Sequence, residues 1–78
     1  MHDPRARDYT RARVRQRLAE LDRPPVWLAN VLQIDLALVS RWLSGKQPIA
    51  EARLREIAIA LHRPVEWFTS PPTEEAAV

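Results

Sequence analysis

The sequence contains no cysteine and only one glycine among its 78 residues. Without cysteine there are no disulfide bonds, no thiolate zinc sites and no cysteine nucleophiles. A single glycine argues against glycine-rich phosphate loops and tight two-residue hairpins. No apolar run approaches the roughly 18 residues that a transmembrane helix needs. No apolar stretch follows the opening residues, so we also expect no secretory signal.

Residues suited to catalysis are also scarce. The only histidines are His2 and His62, and no carboxylate pair, nucleophile–base set or metal-ligand spacing is visible. His62 is expected at a helix end, where a positive charge is favourable. We therefore predict that the protein is not an enzyme and uses no metal, cofactor or small-molecule ligand.

The charge is distributed unevenly along the chain. Hydrophobic residues make up 46% and charged residues 28%, which is typical of one small globular domain. The net charge of +2 combines +3 over residues 1–23, +1 over residues 24–46 and −2 over residues 47–78. The basic first third suits a polyanion such as nucleic acid. It equally suits arginines that only solvate a helix face, and composition leaves both interpretations open.

Apolar residues recur at helical spacing, which predicts an all-α fold of five short helices without strands. The first helix is expected over residues 9–22, with Val14, Leu18 and Leu21 on one face. Two further helices are expected at 50–61 and 65–68.

The middle of the chain predicts two short helices separated by a tight turn. The Pro24-Pro25 pair ends the first helix and opens the second, which extends to about Leu32. Asp35 is expected to cap a third helix at residues 36–44. Gly45 follows, where a helix end favours a positive φ.

The whole chain divides into three predicted parts. A flexible basic arm is expected at residues 1–7, a folded domain at 8–69 and a disordered tail at 70–78.

The order of helix, three-residue turn, helix and glycine at residues 25–45 resembles the lambda-repressor/Cro-like (XRE-type) helix-turn-helix family. Leu28-Ala29 matches the Leu-Ala of the family's second helix, and Val39-Ser40-Arg41-Trp42 is similar to its Ile-Ser-Arg-Trp. Residues 64–68 are similar to its closing turn. The likeness covers residues 10–69 and implies a compact five-helix lambda-repressor-like helix-turn-helix domain.

The resemblance also implies a function. It implies a sequence-specific DNA-binding transcriptional regulator, a Cro-like repressor of phage or prophage origin, in the cytoplasm of a bacterial or phage-infected cell. Its partner would be a palindromic double-stranded DNA operator, bound by a homodimer with half-sites about 34 Å apart. The third helix would read the major groove.

Individual roles follow from the match to the family. Base contacts are expected from Leu36, Ala37, Ser40 and Arg41. Phosphate contacts, through side chains and backbone N–H groups, are expected from Asn30, Ser44, Lys46 and Gln47. Arm contacts are expected from Arg5, Arg7 and Arg11, and a dimer interface from Trp67 and Phe68. Arg11, Arg13, Arg15 and Arg17 spread around the first helix, and most of them are expected to be only solvated.

The chemistry of the base-contacting set is mixed. The guanidinium of Arg41 matches O6 and N7 of guanine. Leu36 and Ala37 have no hydrogen-bonding side chains and suit either thymine methyl groups or a protein partner. Trp67 and Phe68 likewise suit either a dimer interface or a cap on the core.

Several positions depart from the family pattern. Pro25 replaces a phosphate-gripping glutamine, and Gln33 replaces the glycine of the turn. Leu18 and Leu43 replace a buried Arg–Glu pair, so the same contact between the first and third helices is expected to be made by other means. Trp27 replaces an exposed polar residue, and either folds back on the protein or faces a partner.

These departures keep a second function open. The apolar residues Leu36, Ala37 and Leu38, together with Pro25, also suit a protein-interaction module on the same fold. An antitoxin-type autoregulator is a variant of the DNA-binding interpretation.

Overall fold

The computed structural model describes the backbone of residues 6–70 and the side chains of residues 9–70. Over this range the chain forms five α-helices and no strand. They are α1 (Ala6–Glu20), α2 (Pro25–Leu32), α3 (Leu36–Ser44), α4 (Glu51–Leu61) and α5 (Val65–Thr69). The predicted all-α class is therefore confirmed. None of these helices is long and apolar enough to cross a lipid bilayer.

The first helix differs from its predicted bounds at both ends. It begins at Ala6 rather than residue 9, so the last part of the predicted arm is helical backbone. It ends at Glu20 because Asp22 takes a left-handed conformation with φ of 56°. Residues 1–5 and 71–78, which include most of the predicted arm and tail, lie outside the described residues.

One hydrophobic core joins all five helices. Helix α1 packs against α3 and α5, α2 packs against α3 and α4, and α4 packs against α5. The core side chains are Val14, Leu18, Leu28, Ala29, Val39, Trp42, Leu43, Leu54, Ile57, Ala58, Leu61 and Phe68. On the predicted inward face of the first helix, Val14 and Leu18 are buried, and Leu21 is partly buried against the core.

Four helices end in the same way, on a residue with left-handed backbone. These residues are Asp22, Gln33, Gly45 and His62. After each of them, the next N–H bonds to a carbonyl five residues back, at 2.9–3.1 Å. This is the Schellman arrangement, which favours glycine because a side chain in the left-handed region costs about 1–2 kcal/mol. Only Gly45 meets that preference, as predicted.

Three arginines of α1 are bonded to the ends of other helices, so the expectation that most of the α1 arginines are only solvated is wrong. Arg15 donates to the carbonyl of Leu43 near the end of α3. Arg17 Nε donates to the carbonyl of Leu61, the last residue of α4, at 2.7 Å. Cations are favourable at helix C-termini, where carbonyls lack partners within the helix.

The third of these arginines, Arg13, connects α1 to the end of α5. It is 2% exposed, and it donates to both the carbonyl and the hydroxyl of Ser70 at 3.2 Å. Its guanidinium also lies 4.4 Å from the centre of the Trp67 ring. Ser70, which was assigned to the tail, therefore belongs to the folded domain.

Candidate nucleic-acid interface

The turn between α2 and α3 fixes where α3 begins. Gln33 takes the left-handed conformation with φ of 57°, at the position where the family has glycine. Asp35 is extended, and its carboxylate accepts the N–H of Ala37 at 3.0 Å. The predicted N-cap is therefore confirmed. The first turn of α3 is held in place by a side chain that sits just outside the helix.

Helix α3 has one buried and one exposed face. Val39, Trp42 and Leu43 are buried at 0%, 2% and 7% exposure. The opposite side, which we call the outer face of α3, consists of Leu36, Ala37, Ser40 and Arg41, all exposed. These are the four residues for which the resemblance implies base contacts. An α-helix with its side chains is about 10–12 Å in diameter, which fits the roughly 12 Å width of the major groove.

Arg41 and Gln47 are bonded to each other at the end of α3. Arg41 Nε donates to Oε1 of Gln47 at 2.9 Å. The backbone N–H groups of Lys46 and Gln47 both donate to the carbonyl of Arg41, at 3.0 and 3.2 Å. Because these N–H groups terminate the helix, a phosphate would have to be contacted by the two side chains instead of the backbone.

Positive charge gathers at the C-terminal end of α3. Lys46 is exposed in the loop, and the guanidinium carbon of Arg11 lies 3.2 Å from the point where a side chain on Gly45 would begin. Arg11 was grouped with the arm, but it lies within α1, beside this loop. Arg15 and Arg41 are at the same end. Asp35, at the other end of α3, is the one acidic residue between positions 24 and 46.

The other predicted phosphate and arm residues are scattered around this centre. Asn30 is exposed on α2, and Ser44 is exposed in the last turn of α3, where its hydroxyl donates to the carbonyl of Arg41 at 3.3 Å. Arg5 and the side chain of Arg7 lie outside the described residues.

An open apolar groove runs beside the outer face of α3, and the sequence did not indicate it. Its volume is about 450 Å³. It is lined by Arg15, Pro24, Pro25, Val26, Leu36, Ser40, Leu43 and Ser44. Val26 and Leu36 remain 43% and 44% exposed. Pro25 forms part of the apolar wall of this groove. In the family, a glutamine at this position donates a hydrogen bond to phosphate.

Leu18 and Leu43, the positions of the family's ion pair, are both buried in the core, at 3% and 7% exposure. The polar link between α1 and α3 is made instead by Arg15, which donates from Nε and Nη2 to the carbonyl of Leu43. The sequence gives no signal for such a bond, because a carbonyl is present at every residue.

The tryptophan that stands at a polar position of the family folds back on the protein. Trp27 is half-buried and packs against the core, and the guanidinium of Arg23 lies 5.4 Å from its ring centre. This matches the first of the two alternatives for Trp27.

The aromatic pair of α5 is divided between the core and the surface. Phe68 is 0% exposed, so it caps the core and has no surface to offer a partner. Trp67 is half-buried and meets Phe68 edge-on, with ring centres 5.0 Å apart. Arg13 and Arg63 lie over the Trp67 ring at 4.4 and 5.6 Å.

The described part of the chain brings together no group of three or more histidines or acidic residues that could hold a metal ion. The candidate site is the outer face of α3 together with the loop after it, where Arg41, Lys46 and Arg11 gather. Comparison with protein-family models, with curated proteins and with solved structures finds no match to this chain.

Proposed function

We propose that this protein is a DNA-binding transcriptional regulator of the lambda-repressor/Cro-like helix-turn-helix type, and that α3 enters the major groove of duplex DNA. One observation carries the proposal. The side chains of the outer face of α3 are all exposed, while its opposite face is anchored in the core by Val39, Trp42 and Leu43. A helix with one face packed in the core and the other face exposed suits groove binding, because its first residues can contact base edges without any rearrangement of the fold.

Each part of the site then has a chemical task. Arg41 contacts guanine, whose O6 and N7 accept from a guanidinium. Leu36 and Ala37 contact thymine methyl groups, and Ser40 donates to a base or a phosphate.

Phosphate contacts position the protein without reading the sequence. Lys46 provides an exposed charge directly after α3, and Asn30 and Ser44 provide neutral donors on α2 and α3. The cations around Gly45 add a salt-dependent attraction for the polyanionic backbone.

The regulator would act as a homodimer on a palindromic operator, with half-sites about 34 Å apart. Bound across a promoter, it would repress transcription by occupying the site, as a Cro-like repressor of a phage or prophage does. An apolar surface at the end of α4, which includes Ile59 at 77% exposure together with Pro64 and Val65, is available for pairing of two copies.

Selection from a pool of randomised duplex DNA tests the proposal. The wild type is expected to enrich a palindromic motif that contains guanine. Arg41→Ala is expected to lose preference for that guanine. Arg53→Ala, which removes an arginine of α4 that is paired with Glu56 of the same helix, serves as the control and is expected to enrich the wild-type motif. If the wild type enriches no motif at low salt, the proposal is wrong.

A second candidate function is a protein-interaction module. The apolar groove between α2 and α3, with Val26 and Leu36 exposed along it, favours this alternative. The double variant Arg41→Ala, Lys46→Ala separates the two functions, because DNA binding needs these cations and an apolar contact does not. An antitoxin-type autoregulator remains a variant of the first proposal and would be indicated by a toxin gene beside this one.

A further inference from the structure

We infer that Gln47 is a positioning residue for Arg41 and thereby sets the preference for guanine without touching a base. The inference rests on the proposed DNA-binding function. It gives Gln47 a different role from the phosphate contact that the family resemblance implies. The observation behind it is the bond from Arg41 Nε to Oε1 of Gln47, at 2.9 Å.

The two residues are joined twice. Besides the side-chain bond, the backbone N–H of Gln47 donates to the carbonyl of Arg41 at 3.2 Å. The backbone bond belongs to the turn that ends α3 at Gly45, so the position of Gln47 relative to α3 is set by the fold. The fold therefore fixes the place from which the side-chain amide oxygen of Gln47 accepts the hydrogen bond of Arg41.

The bond determines which edge of the guanidinium is offered to DNA. A guanidinium has five N–H groups in a rigid fork, and Gln47 takes the one on Nε. Within the described residues, the two terminal amino groups of Arg41 have no hydrogen-bond partner. They form the end of the fork, which pairs bidentately with O6 and N7 of guanine.

Fixing the side chain also favours binding. An arginine side chain has many rotamers, and holding it in the bound geometry before binding reduces the entropy that is lost in the complex. The amide NH2 of Gln47 remains a donor, so a phosphate contact by that group is compatible with the positioning role.

Two substitutions of Gln47 separate positioning from phosphate binding. Gln47→Lys removes the acceptor but adds a cation that favours phosphate. Gln47→Glu keeps an acceptor oxygen but adds a negative charge that phosphate repels. Gln47→Ala removes both functions. The backbone bond is kept in all three variants, and the side chain is exposed, so thermal unfolding followed by circular dichroism should show wild-type folding.

The measurement is a ratio of affinities. Each protein is titrated with the duplex that the wild type selects and with the same duplex in which the guanine lost by Arg41→Ala is replaced by adenine. The wild type is expected to prefer guanine by roughly 5- to 150-fold, the range of a good bidentate contact. Arg41→Ala sets the lower limit, with a ratio of about one.

The positioning role predicts that Gln47→Lys and Gln47→Ala lose most of this preference, even where Gln47→Lys binds the selected duplex tightly. Gln47→Glu is expected to keep the ratio within about twofold of the wild type, although its affinity falls. If Gln47→Lys keeps the wild-type ratio, Gln47 does not position Arg41 and the inference is overturned, while the DNA-binding function stands.

A measurement on the free protein tests the same contact without DNA. The Arg41 Nε–H signal in nuclear magnetic resonance spectra is expected to exchange more slowly with water in the wild type and in Gln47→Glu than in Gln47→Ala. Arg55 Nε–H serves as the internal reference. Equal exchange in the wild type and Gln47→Ala would overturn the inference. Failure of the wild type to bind any duplex would instead overturn the proposed function.

Discussion

Arg15 and Leu43 tie α1 directly to α3. The guanidinium of Arg15 donates to the carbonyl of Leu43 from both Nε, at 3.1 Å, and Nη2, at 2.9 Å. The carbonyl belongs to the last turn of α3, where backbone acceptors have no partner within the helix. One arginine thus supports the helix that we propose to enter DNA, at the place where the family uses two charged side chains.

Removal of this link should destabilise the fold. Arg15→Ala is expected to lower the free energy of unfolding by about 1–2 kcal/mol, because a carbonyl near the core loses a charged donor and the exposed arginine is partly screened by water. Urea denaturation measures the change. Arg55→Ala is the control and is expected to stay within about 0.5 kcal/mol of the wild type. Equal stability of Arg15→Ala and the control would show that the bond contributes nothing.

Glycine in the turn between α2 and α3, where the family has it, should increase the stability of the fold. Gln33 has φ of 57°, so Gln33→Gly relieves backbone strain and is expected to raise the unfolding free energy by up to about 1 kcal/mol. Asn30→Gly, inside α2, is the matched control and should lower it by up to about 1 kcal/mol. Thermal unfolding of both variants checks the pair. Loss of stability in Gln33→Gly would contradict the claim that the backbone of Gln33 is strained.

Lys46 should contribute affinity without contributing sequence preference. Lys46→Ala is expected to weaken binding to all duplexes alike and to reduce the slope of log affinity against log salt by about 0.9, the value for one phosphate. Titrations at several salt concentrations measure that slope. Arg41→Ala is the comparison, since it should change the base preference. A loss confined to one sequence would assign Lys46 to a base instead.

The apolar end of the outer face should detect thymine methyl groups. Replacing thymines of the selected duplex by uracil removes the methyl and changes no hydrogen bond. At the position that Leu36 reads, the wild type is expected to lose about fourfold in affinity, which corresponds to about 0.8 kcal/mol for one buried methyl. Leu36→Ala should lose less. Wild-type affinity that is unchanged by uracil at every position would favour the protein-partner interpretation of this face.

The sequence predicted those features that obey local rules. The helical spacing of apolar residues identified the all-α class and the inward face of the first helix, whereas the residues of the outer face of α3 came from the resemblance to the family. Asp35 and Gly45 were assigned as helix caps because their residue types match the backbone conformation that each position needs.

The sequence did not predict the bonds that depend on tertiary structure. Arg15 and Arg17 donate to backbone carbonyls 28 and 44 positions away in the sequence. Because every residue has a backbone carbonyl, the residue type does not indicate which one will accept. The pairing of Arg41 with Gln47 depends on one rotamer of a long side chain. The sequence is compatible with Phe68 in the core and with Phe68 at an interface, because the five residues of α5 are too few to define a hydrophobic face.

The most direct test of the DNA-binding proposal is to map the bound surface residue by residue. Isotope-labelled protein is titrated with the duplex that selection enriches, and the chemical shifts of backbone amides and arginine side chains are followed. The largest changes are expected at Leu36, Ala37, Ser40 and Arg41 and at Lys46 after them, with smaller changes around Ile59 of α4, where two copies are proposed to pair. Changes centred on α4 and α5, or none on α3, would contradict the placement of α3 in the groove.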